Sequence, residues 1–333
     1  MSERRLVLPV LALAAFGMAL CLVLDARAAF AGWLLAFVLA GLAPVGAVAL
    51  LLIGRLTGAS WTAPLVPLAA ATPLLCVLAL PVLAGYALIF AWSAGGLDPA
   101  SGQPVWLSPA FFILRSAVIL GGWSWLALQV ARGRTTMLTA GLGLLAHGLF
   151  VSVAAYDWVL SVQPGWVDTS MGMNLAAQQI GAACACVGLF GLASDRQAPA
   201  YVGLLAAALL GVAYLALMDY IIVWYGNLPD KVSWYVRREQ GLWWVLVPLA
   251  TALGLVVPLP VLGFGGGWRR KLALASGFGL AGFALYDLWM ILPAFGAAAL
   301  PAAVCALAIQ LGALFWAAAR KGATVRERVA HAA

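Results

Sequence analysis

Apolar residues run along this chain in stretches of about 20, each closed by a charged or Pro/Gly-rich break, and stretches of that length predict membrane-spanning helices. Ten are read, at 6–24, 30–53, 64–92, 111–131, 137–156, 172–192, 200–224, 242–263, 271–292 and 298–319. An even number puts both termini on one side. The first run follows MSERR directly, has no small-residue cleavage site ahead of a soluble domain, and leads into further spans, so it is expected to be a retained helix. Between the spans, the segments 93–110, 157–171 and 225–241 mix Trp, Tyr, Pro and Asp, which predicts short interfacial helices or docking loops. An aromatic belt at the membrane boundary accounts for the same residues singly.

Composition removes the soluble alternatives. With 65% hydrophobic and 9% charged residues, and a mean hydropathy of +1.04, too little polar surface exists to cover the apolar surface in water. The net charge of +7 is a matter of topology. Most of the Lys and Arg residues, among them Arg55, Arg132, Arg134, Arg196, Arg269, Arg270, Lys271 and Arg320, fall on the side of the termini. The positive-inside rule therefore predicts that both ends are cytoplasmic. Anionic lipid suits these loops as a partner, and nucleic acid need not be invoked.

The metal-ligating residues exclude several redox chemistries. All five cysteines fall inside predicted spans, and Cys184 and Cys186 point about 200° apart on a helix, a poor chelate. Of the two histidines, His331 lies in the tail, so a bis-histidine transmembrane haem cannot be built, and no cysteine spacing suits an iron–sulfur cluster. No metal or cofactor is expected on this chain itself. Nucleotide-binding and hydrolase motifs are missing too; His147 beside Ser124 or Ser152 has no nucleophile motif around it.

A polar set inside the bundle remains. Asp219 in LALMDYIIVWYGNLP and Asp287 in GFALYDLWMILPAF sit within apolar runs, where a charge costs at least about 2.5–3.5 kcal/mol on insertion scales. At the rise of an α-helix, Asp219 lies about 12 Å below Asn227 and Asp287 about 9 Å below Pro293, so the two are expected at similar depth. With Tyr214, His147 deeper, Tyr156 and Asp157 at the mouth and Arg115 at the outer start of the fourth span, they would line a proton half-channel. In the other reading, Asp219 or Asp287 pairs with Arg115 or a neighbouring backbone and only fixes helix packing.

Three blocks carry a family resemblance: AAYDWVLSVQPGWVDTSMGM at 154–173, IIVWYGNLPDKVSWYVRREQGLWW at 221–244, and YDLWMILP at 286–293. In that order and on those helices they resemble the NrfD-like membrane subunit of alternative complex III, the bacterial quinol:cytochrome c oxidoreductase, of the ActF type. The resemblance implies an all-α integral membrane fold with two four-helix bundles, spans 2–5 and 6–9, and two flanking helices. It divides the chain into a flanking helix at 1–29, bundles at 30–157 and 158–293, and a last helix with a basic tail at 294–333.

The resemblance also implies a place in the bacterial inner membrane, within a complex that oxidises quinol and carries haem c and iron–sulfur clusters in partner subunits. A cytochrome c oxidase is a further implied partner, and quinone or quinol a ligand within reach. Asp157, Asp287 and Arg115 match the family pattern, as do Trp224, Asn227, Trp234, Tyr235 and Arg237, which are expected to dock the outer subunits. Asp219 departs from it, standing where the family has an uncharged pair, and Asp230-Lys231 replaces Glu-Glu. A proton-coupled secondary transporter and a purely structural subunit are the competing functions; the transporter would want Gly/Pro-broken helices in matching halves.

Overall fold

The computed structural model describes residues 2–90, 103–163, 166, 168–227, 229–264 and 266–330, all helix, turn or loop among the described residues. Most of the predicted outer segment 93–110, together with Pro164, Gly165, Val167, Leu228 and His331, lies outside them.

Helices α1 (Ser2–Leu24) and α2 (Ala26–Thr57) are separated by Asp25, whose carboxylate accepts from Ala28 N at 3.0 Å and so caps α2. At its far end Gly58, with φ 66°, takes the left-handed conformation that stops the helix. The third run is α3 (Ala63–Ala84), which is a series of short α and 3₁₀ turns, not one regular helix. Pro64, Pro67, Pro73 and Pro81 each remove a backbone donor and crowd the preceding turn. Part of the broken ladder is made good from outside, because Trp33 donates its indole N–H to the Leu78 carbonyl at 2.8 Å.

Further along come α4 (Pro109–Ala131), α5 (Met137–Val162), α6 (Met171–Leu189), α7 (Ala198–Gly226) and a short α8 (Pro229–Arg238). The last three are α9 (Trp243–Phe264), α10 (Trp268–Ala294) and α11 (Ala299–Ala330). Eight of these are long and apolar enough to cross a membrane, where ten spans were expected. The other two expected spans, at 6–24 and 172–192, correspond to α1 and α6, the second ending at Leu189, and are helical as well. In α6 the amides of Asn174, Gln178 and Gln179 dilute the apolar character, and all three are buried against protein. A helix enclosed by other helices has no need of an apolar surface for lipid.

Helices α2 and α6 form the middle of the molecule. α2 packs on α6, α11, α5 and α3, and α6 packs on α2, α7 and α10, with α1 lying along α11. The α2–α6 contact is backbone to backbone: a Cβ placed on Gly46 would lie 1.8 Å from the Gln179 carbonyl oxygen. Gly282 of α10 meets Gly254 of α9 in the same way, 2.3 Å from such a Cβ to the Gly254 Cα. Small residues at such crossings let helices approach closely where no hydrophobic force drives them together.

Candidate functional site

In α5 the backbone widens into a π turn at Ala155–Val159 before tightening to a 3₁₀ turn at Leu160–Val162. The π turn carries Asp157 inward, where it is 0% exposed. Arg115 of α4 grips both carboxylate oxygens, Nε to Oδ2 at 2.8 Å and Nη2 to Oδ1 at 2.9 Å. Trp106 adds its indole N–H to Oδ1 at 3.2 Å and its carbonyl accepts from Arg115 Nη1 at 2.6 Å. The guanidinium also lies over the Trp106 and Phe111 rings, 4.1 Å and 4.5 Å from their centroids. Charge, lone pairs and donors are matched on both sides, as a buried ion pair requires. The expectation that Arg115 pairs with Asp219 or Asp287 is therefore corrected: its partner is Asp157. Tyr156 stands half-buried, edge-on to Trp106.

His147 is buried one helix face away. Its Nδ1 accepts from the Trp123 indole at 3.2 Å, which leaves the proton of a neutral imidazole on Nε2. Trp123 in turn packs edge-on against Phe150 and Trp158. The histidine thus sits in an aromatic setting, held by the Trp123 indole.

The second polar cluster joins α6 to α10. Asp287 is 0% exposed and accepts one hydrogen bond on Oδ1, from Gln178 Nε2 at 3.1 Å. Its Oδ2 has no hydrogen-bond partner, nor has Gln178 Oε1. Gln178 Nε2 also donates to Asn174 Oδ1 at 2.9 Å, and Asn174 Nδ2 reaches the Tyr286 hydroxyl at 3.5 Å. Buried acceptors without donors are uncommon and mark sites where something more than packing is at stake.

Asp219 and Asp287 were expected at similar depth, and their surroundings differ. Asp219 is half-buried near the C-terminal end of α7 and accepts from the Tyr235 hydroxyl of α8 at 2.7 Å. Burial, reinforced by that carboxylate, holds the Tyr235 phenol well above its ordinary value, so it stays a donor at neutral pH. Rings connect the two acids: Tyr235 lies 6.1 Å from Trp289, and Trp289 lies 6.2 Å from Tyr286. Tyr214 is 60% exposed on the outward face of α7 and takes no part in this interior.

Arg238 is the residue that the sequence did not single out. Its Nε donates to the Trp289 carbonyl at 3.0 Å and its Nη2 to the Met290 carbonyl at 2.8 Å. These are last-turn carbonyls of α10, so the cation caps the negative end of that helix. Nη1 donates to Gln163 Oε1 at 2.9 Å and to the Trp234 carbonyl at 3.2 Å, and the guanidinium lies 3.4 Å above the Trp234 ring. Burial, with the neighbouring Arg237 charge, lowers Arg238 to about 9, which leaves it charged at neutral pH. Trp234 stacks on Trp166 with centroids 4.1 Å apart and is only 3% exposed.

The expected docking set is thereby divided. Trp234 is spent inside the chain, and Tyr235 is tied to Asp219. Trp224, 65% exposed, and Arg237, which donates to the Ser233 carbonyl, remain on the surface. Asn227 supplies the left-handed cap of α7, with φ 42°. The overlooked signal was the i, i+4 spacing of Trp234 and Arg238, which puts both on one face of α8. Replacing Arg238 by Lys should cost about 2 kcal/mol, since a point charge cannot serve three carbonyls and a ring together. Thermal unfolding of Arg238→Lys beside Arg237→Lys measures this; only the former should fall.

Among the described residues no three His, Cys, Asp or Glu side chains come together as a metal centre. Neither models of known protein families nor curated proteins match this chain.

Proposed function

We propose that this chain is a non-haem, integral membrane subunit of a quinol-oxidising respiratory complex of the alternative complex III kind, in a bacterial inner membrane. Its ten helical spans form two four-helix bundles with flanking first and last helices and cytoplasmic termini, an orientation supported by the placement of Lys and Arg. The observation that carries the reading is the convergence of the three resembling blocks. Trp166 of the first stacks on Trp234 of the second, and Gln163 of the first accepts from Arg238 of the second. Arg238 in turn binds the carbonyls of Trp289 and Met290 in the third. Segments more than fifty residues apart that resemble one family's pattern thus meet in one knot, which this reading puts at the outer end of the bundle.

In this reading the knot holds the outer face on which haem c and iron–sulfur subunits sit, through Trp224 and Arg237. Beneath it, the Asp219–Tyr235 and Asp287–Gln178 pairs take up protons released when quinol is oxidised, and electrons pass through the partners. The chain's own residues then position, bind and relay charge; they do not carry electrons.

A tagged chain solubilised from its native membrane should bring with it c-type haem, seen by its absorption bands, and quinol:cytochrome c activity. Purification of the chain alone, free of haem, would sink this reading. Asp287→Asn should preserve the amount of complex and slow proton-coupled turnover at least tenfold, because Asn keeps the shape but carries no proton. Unaltered turnover would remove Asp287 from the proton route.

A further inference from the structure

The two halves of the chain contain the same small device, and only one copy is complete. Each half ends on a helix bearing Tyr-Asp followed closely by Trp: Tyr156-Asp157-Trp158 on α5, and Tyr286-Asp287-Leu288-Trp289 on α10. Both helices tighten to 3₁₀ beyond the aspartate, at Leu160–Val162 and at Leu292–Ala294. Each half also supplies one buried arginine that lies over a tryptophan ring and donates to that tryptophan's own carbonyl. For Arg115 and Trp106 the ring distance is 4.1 Å and the hydrogen bond 2.6 Å. For Arg238 and Trp234 they are 3.4 Å and 3.2 Å.

The copies differ in what the arginine grips. Arg115 binds both oxygens of Asp157. Arg238 is drawn to the α10 carbonyls of Trp289 and Met290. Asp287 is thereby left with one amide donor, and its Oδ2 and the adjoining Gln178 Oε1 have none, although both residues are 0% exposed.

We propose that Asp287, with Gln178 and Asn174, forms a binding site for a monovalent metal cation of the sodium type, which occupies in the second half the place that the Arg115 guanidinium fills in the first. A carboxylate with amide oxygens is a hard-oxygen donor set, suited to alkali ions and unsuited to soft transition metals. The proton is the competitor at the same carboxylate. A proton adds a single donor, whereas a cation with several oxygen ligands satisfies the carboxylate and the Gln178 carbonyl together. This site rests on the reading that Asp287 exchanges a counter-charge with the outer solution, and it stands apart from membership of a respiratory complex.

The test uses the full chain, purified in detergent at constant ionic strength and mildly alkaline pH, with sodium, potassium or choline chloride. Sodium should raise the unfolding temperature saturably by about 3 °C or more over choline. The rise should fade on acidification, as protonation removes the charge that holds the ion. Asp287→Asn should lose the response, while Asp195→Asn, at an exposed acid in a loop, should keep it. Gln178→Leu provides a second variant should Asp287→Asn fold poorly, and it too should lose the response. Radioactive sodium retained by the wild-type chain, at one per chain, gives the direct measure. Equal unfolding temperatures in sodium and choline, with no sodium retained, would overturn the cation site. Slowed turnover in Asp287→Asn would still support the proton reading in that event, so the two fail separately.

Discussion

Arg115→Leu should abolish stable folding, and Arg115→Leu combined with Asp157→Leu should restore most of it. The single change leaves a carboxylate at 0% exposure with only the Trp106 indole as donor. Breaking a buried pair in this way costs about 3–5 kcal/mol, whereas replacing both partners by apolar groups is often close to neutral. Arg115→Lys should recover part of the loss, since a lysine brings charge without the two-pronged grip on both oxygens. Unfolding in mild detergent, followed by size-exclusion of each variant, gives the comparison. If the double variant is as poorly folded as the single one, the hold of Arg115 on the Trp106 carbonyl and on the Trp106 and Phe111 rings, and not neutralisation of Asp157, is what the fold requires.

Gly46→Val should give no monodisperse protein. The first carbon of any side chain there would stand 1.8 Å from a backbone carbonyl oxygen of the facing helix, and backbone cannot swing aside as a side chain can. The cost should exceed the about 1–3 kcal/mol of ordinary core overpacking, because α2 and α6 must part along their length. Gly121→Val is the matching control: it lies on α4 with open space around its Cβ and should express normally. Normal yield of Gly46→Val would mean that the α2–α6 crossing is looser than described.

The membrane helices were legible because apolar length is a property of each segment alone. The expected runs were helical and began within a few residues of the expected starts, as α4 at Pro109–Ala131 shows, whereas α3 stopped earlier and α5 and α11 ran further than expected. The break in α3 was legible in principle, since its four prolines are visible in the sequence. Partner choice was not. Whether Arg115 meets Asp157, Asp219 or Asp287 depends on a π turn that rotates one aspartate inward, and a single sequence carries no sign of that extra residue per turn. Arg238 was hidden for a related reason: next to Arg237 it reads as one more loop charge. Only the three-dimensional path of α8 shows that one arginine faces the end of α10 and the other faces outward. The candidate site was therefore legible as a set of suspicious residues, and not as a set of pairs.

The seam at Gly46 bears on how the molecule can work. Two repeated halves joined by a compliant interface can rock, exposing one chamber alternately to either side of a membrane. Halves whose backbones touch behave as one beam. In the proposed reading, a charge taken up at Asp287 then finds no rocking of the halves to carry it across, and its onward passage falls to side chains and not to a moving interface.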